Sequence, residues 1–565
     1  MSHELGKVQP QFFSHRIVSN QSSSSTSSSS TIASSKPVKM RKPLLNERWT
    51  SVLYTAVAAL SYVTAGTTIG WSSGTFRRTG QTLPQLDNWS ISLAATPALM
   101  ITVIALVVHR SYRWIGTKAY LMTAALLAMG SSVLEAYGQT FWSASAGRIL
   151  GGISAGIAFT LLPSYVDEFG SSDRVGLGRP PLDEILTAAF PFGVLLRFVA
   201  DILPAPISPL WAALQWAAFP AASFVGLLFL PESARFLCST GCVSQAADVL
   251  HRTHEPSSHP ALQASLARWQ QPSPGLFEAI SRQANLTLIV PLLSLFAFQA
   301  FIGAIPMLFY LADLLELAGQ GGPEPNRAAA LLMFAFIVTI KLSRFLYRRQ
   351  HLDKTLLVTS GLIIALATIG LGWHCHQRRI HAPDATTAAL NDWPLYAFAV
   401  LYISYAVGFH RIPGTLLATE ADDENRFALH TLSTAISWGS VYLAVRLLPV
   451  LLRNIGLGWV LWNIALVALF TVAVVLLCLP EAGDGNAHKV LPVTSRASSS
   501  SSTSSTCSSS LGSNSPTLPC TCWPCSNCSN VAAPETSSTV VQIFSYAPPN
   551  SPKTPDPSTP SLNII

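Results

Sequence analysis

The sequence predicts an all-α membrane protein: twelve transmembrane helices in two six-helix, pseudo-symmetric halves. Three observations lead there. Charged residues make up 11% of the chain, hydrophobic residues 49%, and mean hydropathy is +0.39. An ordinary soluble domain carries about 25% charged residues, so composition excludes a soluble globule of this size. Apolar runs of roughly 20 residues, enough for a helix to cross a ~30 Å hydrocarbon core, recur along the chain. Two of these runs also end alike, in "LFLPESARFL" at Pro231 and "LLCLPEAGDG" at Pro480.

The elements follow in order. Residues 1–47 form a Ser-rich tail containing "NQSSSSTSSSSTIASS", too polar to bury a core and read as disordered. The first six spans, within 48–230, fall near 51–71, 90–109, 116–136, 142–163, 184–204 and 209–230. A polar loop, 231–286, carries helix-like pieces such as "VSQAADVLHRTH". The second six, within 287–483, fall near 287–314, 327–346, 355–374, 393–418, 428–450 and 457–479. Residues 484–565 are a Ser/Thr/Pro/Cys-rich tail, also read as disordered. Each long run is a helix because backbone groups in lipid must be satisfied within the segment. No short apolar stretch precedes Arg48, so the first span is expected to act as its own targeting signal.

Basic residues set the orientation. Lys36, Lys39, Arg41, Lys42 and Arg48 precede span one. Arg110, Arg113 and Lys118 follow span two, and Arg344, Arg348, Arg349 and Lys354 follow span eight. The opposite loops hold fewer. With an even number of spans, the bias puts both tails and the 231–286 loop in the cytoplasm. The net charge of +7 is thus a membrane-orientation signal, and no nucleic-acid partner is expected.

The halves echo each other beyond Pro231 and Pro480. "HRSYRWIGTKAYL" follows span two as "KLSRFLYRRQHLDKTLL" follows span eight. "YVDEFGSSDR" follows span four as "LATEADDENR" follows span ten. Two halves with matching loops are the mark of a transporter built by internal duplication.

These segments resemble the sugar porter branch of the major facilitator superfamily over roughly 48–483, and within it the insect facilitated trehalose/glucose transporters. "AGRILGGISAGIAFTLLPSYVDEF" is similar to that family's fourth span, with Gly147-Arg148, a glycine ladder and Pro163, Tyr165 and Glu168 in place. "LPESARFL" is close to its Pro-Glu-Ser-Pro-Arg signature, with Ala234 for the second Pro. "TAISWGSVYLAVRLLPVLLRNIG" follows its eleventh span, and "PEAG" is a worn Pro-Glu-Thr. Without the family, Gly151, Gly152 and Gly156 already read as sites of close helix contact.

The resemblance implies roles. Arg148, Glu168 with Arg174, Glu232 with Arg235, and Glu420 with Arg426 become gating or structural charges that hold one face closed in one state. Simple solvated loop charge is the plainer reading of the same residues, and it contributes little. The implied sugar site departs from the family. The expected amides and aromatics become Thr187 in span five, Ala300 and Ile305 in span seven, a position near Leu331 in span eight, Gly414 or Thr415 in span ten, and Ser437 in span eleven. Gln299 survives and Trp438 remains. The acid of the loop after span two is replaced by Arg113, and Ser343 stands at its counterpart. His410 and Arg411 add basic groups inside span ten, where ionisable side chains are functional candidates by default. Substrate contacts are therefore expected from Gln299, Thr187, Ser437, Trp438, His410 and Arg411. A fixed positive charge there would favour an anionic or sparsely hydroxylated solute over a plain hexose.

Proton-coupled members of the family this chain resembles carry a carboxylate in span one facing the Arg of span four; here span one holds no Asp or Glu to face Arg148, so the resemblance implies facilitated passage, not proton symport. Cys520, Cys522, Cys525 and Cys528 have metal-like spacing; zinc, palmitoylation and incidental low-complexity cysteine all remain open. Asn88-Trp-Ser is a glycosylation candidate. No nucleotide loop or nucleophile elbow appears, so neither an enzyme nor a cofactor is expected. The first reading is a facilitative sugar-porter-type carrier in the plasma membrane working by alternating access. The second is a transport-incompetent sensor or scaffold with an eroded site.

Overall fold

A computed structural model describes residues 47–78, 83, 86–137, 140–170, 182–203, 208–253, 266, 269, 275–282, 286–319, 324–347, 353–380, 392–422 and 424–479. All lie in one compact unit, 45–565. Among them every regular element is helical. Twelve stretches are long and apolar enough to cross a membrane. In the first half these are Trp49–Ser73, Asn88–Ile115, Thr117–Tyr137, Phe141–Asp167, Leu182–Ile202 and Pro209–Phe229. In the second they are Leu286–Leu308, Pro325–Ser343, Asp353–Ile380, Trp393–Glu420, Arg426–Asn454 and Leu457–Cys478. Below, the face where span one begins and span twelve ends is the proximal face, and the other the distal face.

Local chemistry sets the helix starts. Asp87 caps span two by accepting from Ser90 N at 2.9 Å. Thr140 and Ser143 form a reciprocal box at span four. Ser208 caps span six, with Pro209 in the first turn.

The two sixth helices end alike, although Pro480 itself lies outside the described residues. Lys118 Nζ, at the start of span three, donates to the carbonyls of Leu228 (2.9 Å) and Leu230 (2.8 Å). Lys354 Nζ, at the start of span nine, donates to those of Leu476 (3.3 Å) and Leu479 (2.7 Å). Each lysine closes the last turn of its half's sixth helix, where carbonyls lack helical partners and the helix dipole is negative.

Small residues bring the spans of the first half together. A methyl group at Gly66 would lie 2.1 Å from the Phe190 carbonyl oxygen, and one at Gly193 would lie 2.0 Å from that of Val63. Spans one and five therefore touch backbone to backbone. Gly152 and Gly156 pack the same way against Pro97 and Ile101 of span two.

Spans seven and ten, expected as unbroken runs over 287–314 and 393–418, are interrupted. Span seven runs as Leu286–Phe301, turns at Gly303 (φ +94°), and resumes as Ala304–Leu308 and Leu311–Leu317. Span ten runs as Trp393–Val407, turns through Gly408–Arg411, and resumes as Ile412–Glu420. Gly303 takes a left-handed turn, and Pro413 lies in the first turn of the segment that follows Arg411. Hydropathy alone does not register the break in span seven, because apolar residues continue through it; that in span ten coincides with His410 and Arg411.

Candidate functional site

The seam between the halves is tied near both faces. On the distal side, Arg453 Nη2 donates to the Leu86 carbonyl (2.6 Å), Arg446 to Ser92 Oγ, and Ala312 N to Ser73 Oγ (3.1 Å). On the proximal side, the ring of Phe427 lies 5.1 Å from Tyr112 and stacks on His109 at 5.6 Å. His430 Nε2 meets the Phe159 carbonyl at 3.3 Å.

Between these ties lies an aromatic cluster from spans one, four, five and eleven. Phe159 is 4.8 Å from Tyr62, 5.5 Å from Phe190 and 4.8 Å from Trp438; Phe190 is 6.2 Å from Trp438. Trp438 thus meets two rings of the opposite half. Ser437 beside it is half-buried.

Gln299 and His410 belong to a neighbouring group. Gln299 Nε2 donates to Tyr405 Oη at 2.9 Å, while its Oε1 is buried without a hydrogen-bond partner among the described residues. Either orientation of the amide leaves one polar end unmet. His410 packs edge-on to Phe336 at 5.2 Å, and its Nε2 meets the Thr187 carbonyl at 3.3 Å. Thr187 Oγ1 is turned to its own helix, donating to Asp183 O at 2.9 Å. Thr187 and Phe190 sit one turn apart on span five, so the two groups adjoin that helix. Leu331 is 54% exposed while Ala329 and Met333 are buried, so span eight turns other residues inward.

Arg411 is placed differently from the expected solute contact. Its Nη2 is 3.0 Å from Asp183 Oδ2 and its Nη1 is 3.5 Å from Glu184 Oε1. Its charge is already met by two carboxylates of span five. In sequence, Asp183 and Glu184 read as ordinary acids in a helix first turn; their partner, over two hundred residues away, leaves no local signal.

The expected gating charges also find particular neighbours. Glu168 is buried and accepts from Ser233 Oγ and Ala234 N, both at 2.7 Å. Burial pushes its carboxyl up to about 7, against the pull of the Arg235 guanidinium and those hydrogen bonds. Glu232, expected to pair with Arg235, instead accepts from Lys118 N at 2.9 Å and Ser233 N at 3.0 Å. Burial raises its carboxyl and the bond from Lys118 opposes the rise. Arg235 lies over Trp269 at 5.4 Å. The proximity of Gly116 to Phe236 and Glu232 leaves no room for a side chain there, and its φ is +82°. Glu420 ends one helix and Arg426 opens the next, both half-buried. Arg174 and Cys520, Cys522, Cys525 and Cys528 lie outside the described residues.

Arg148 is fully buried at the centre of the first half. It donates to the carbonyls of Thr68 and Leu93, lies 4.7 Å over Trp71, and is 3.8 Å from Glu135 Oε1. The carboxylate missing from span one is thus supplied by span three. The signal was a lone Glu in the apolar run "LLAMGSSVLEAY".

Comparisons with known proteins agree with this architecture. The chain is 25% identical to a facilitated trehalose transporter Tret1 of Drosophila yakuba over 380 residues, covering 65% of this chain and 42% of that protein. It is 22% identical to the Bombyx mori protein of that name over 451 residues, covering 78% and 86%. The chain thus spans about two fifths of the Drosophila yakuba relative but most of the silkworm one. Its fold matches the xylose transporter XylE of E. coli in a partially occluded inward-open conformation, with a TM-score of 0.61 at 19% identity, over 77% of this chain and 99% of that one. The sequence profile described as "Sugar (and other) transporter" matches residues 12–484, and the chain belongs to that family.

Proposed function

We propose that the chain is a facilitative carrier that moves a small neutral solute by alternating access between its two halves. Gln299 carries this reading. It is the one amide kept from the expected sugar site, and one polar end of it is buried and unmet. Leaving such a group unpaired costs about 1–3 kcal/mol, which a solute hydroxyl at this position would relieve. Around it, Trp438, Ser437, His410 and Thr187 offer few further polar groups, so the solute is sparsely hydroxylated. The anionic alternative loses its support, because Arg411 is occupied by Asp183 and Glu184.

Passage is uncoupled from protons. Span one holds no carboxylate to face Arg148, and Glu135 meets Arg148 between spans three and four of the first half. In this reading the proximal face is cytoplasmic, as the basic-residue bias requires, and the carrier sits in the plasma membrane. The relatives' printed name, facilitated trehalose transporter, supports a sugar-like solute.

Uptake by cells displaying the chain tests this. Labelled trehalose and glucose are compared with deoxygenated sugars and other neutral solutes of similar size. Saturable uptake of a sparsely hydroxylated solute, lost in Gln299→Leu without medium alkalinisation, is expected. Robust glucose or trehalose uptake that ignores Gln299→Leu would overturn the site assignment. Surface display with no uptake of any solute would favour the sensor or scaffold.

A further inference from the structure

Span ten breaks at Gly408–Arg411, and the break sets a guanidinium against the first turn of span five. Its two terminal nitrogens face two different carboxylates, Asp183 at 3.0 Å and Glu184 at 3.5 Å. Glu184 is buried while Asp183 is half exposed. Two further contacts grip the same stretch. Lys341 Nζ of span eight donates to the Glu184 carbonyl at 3.2 Å, and His410 Nε2 meets that of Thr187 at 3.3 Å. Spans eight and ten of the second half thus hold one and a half turns of span five of the first.

We infer that Arg411, Asp183 and Glu184 form the clasp that closes the proximal mouth of the protein, with Arg411 as its central gating residue. Each contact crosses from one half to the other, so all must part when the halves separate at this face. A buried carboxylate gives the clasp its strength, because opening it strands Glu184 unless water enters. The break in the helix gives it direction. A continuous helix would carry residue 411 onward around its axis, whereas the turn after Gly408 presents it sideways to span five. Gly408 has no room for a side chain, since a methyl group there would lie 1.9 Å from Ser360 Oγ. The clasp also stands where loop charges are altered: Arg113 is exposed, and Ser343 Oγ is turned to its own helix at Ile340 O.

The inference rests on the carrier reading only for what the clasp gates, and its test does not require transport. Spin labels at Trp114→Cys and Leu477→Cys, both exposed near the proximal face of opposite halves, report the opening distance in the full chain with its native cysteines replaced. Arg411→Ala is expected to raise the open-to-closed ratio on the order of 10- to 100-fold. Arg411→Glu should raise it further, and Asp183→Arg combined with Arg411→Glu should bring it back toward the parent. Arg411→Lys should keep part of the closure. An unchanged distance distribution in Arg411→Ala, or a charge swap no better than Arg411→Glu alone, overturns the clasp. Failure of uptake for every solute, with these distances shifting as expected, removes the carrier reading and keeps the clasp.

Discussion

Lys118→Met and Lys354→Met should cost the protein nearly the same stability. Methionine keeps the length of the stem and its packing but removes the ammonium. Each lysine donates two hydrogen bonds to carbonyls in the last turn of a sixth helix, at 2.8–2.9 Å for Lys118 and 2.7–3.3 Å for Lys354. A charged donor to a buried acceptor contributes about 1.5–3 kcal/mol, and a cation at an exposed helix C-terminus about 0.3–1 kcal/mol. Both sites are half exposed, so about 1–2 kcal/mol is expected for each variant. The lysines lie in different halves with no shared partner, so the double variant should add to about 2–4 kcal/mol. Unfolding in mixed detergent micelles, followed by tryptophan fluorescence, measures this. A difference of more than about 1 kcal/mol between the single variants would refute the equivalence of the two caps.

Three further outcomes follow from the packing and the charges. Gly66→Ala and Gly193→Ala should each destabilise the protein by about 1–3 kcal/mol or prevent its assembly, because the added methyl meets a backbone oxygen that cannot turn away; purification yield and the same unfolding assay check this. Trp438→Ala removes two ring contacts between the halves, each contributing about 0.5–1.5 kcal/mol, so it should shift the conformational balance while leaving each half folded. The third concerns Glu168, whose carboxyl lies at about 7 against a free value of 4.5. The folded protein binds this proton more tightly than the unfolded chain, so the contribution is full below about 4.5 and declines as pH rises toward about 7. Stability measured across that window should fall in the parent and stay flatter in Glu168→Gln.

The fold was legible because its determinants are local. Each span announces itself by length and hydropathy, and the twelve helices begin and end within a few residues of their expected bounds, apart from the longer excursions at Ile115 and Ile380 and the earlier end of span seven at Leu308. Gly151, Gly152 and Gly156 were also readable, since small residues in lipid have few other uses. The break in span seven was not readable, because Gly303 lies in a run as apolar as an intact helix, whereas in span ten Gly408, His410 and Arg411 marked the place without showing that the helix turns there. The site was legible only in part. Gln299, His410, Thr187 and Trp438 do adjoin span five, yet Thr187 contributes its carbonyl rather than its hydroxyl. The partners of Arg411 escaped because an ion pair between distant spans carries no periodicity.

The loop after span two shows how erosion and retention divide along physical lines. Gly116 and Lys118 are kept, and each meets a fixed requirement of the first half. Gly116 turns where Phe236 and Glu232 allow no side chain, and Lys118 closes span six while its N–H binds Glu232. Arg113, where an acid was expected, is exposed at the end of span two. Across the seam the present contacts are of other kinds: Phe427 between Tyr112 and His109, and Arg411 on Asp183 and Glu184. Two rigid halves joined by contacts that can part are what a rocking carrier requires, and a sequence can replace the contacts provided it keeps the halves.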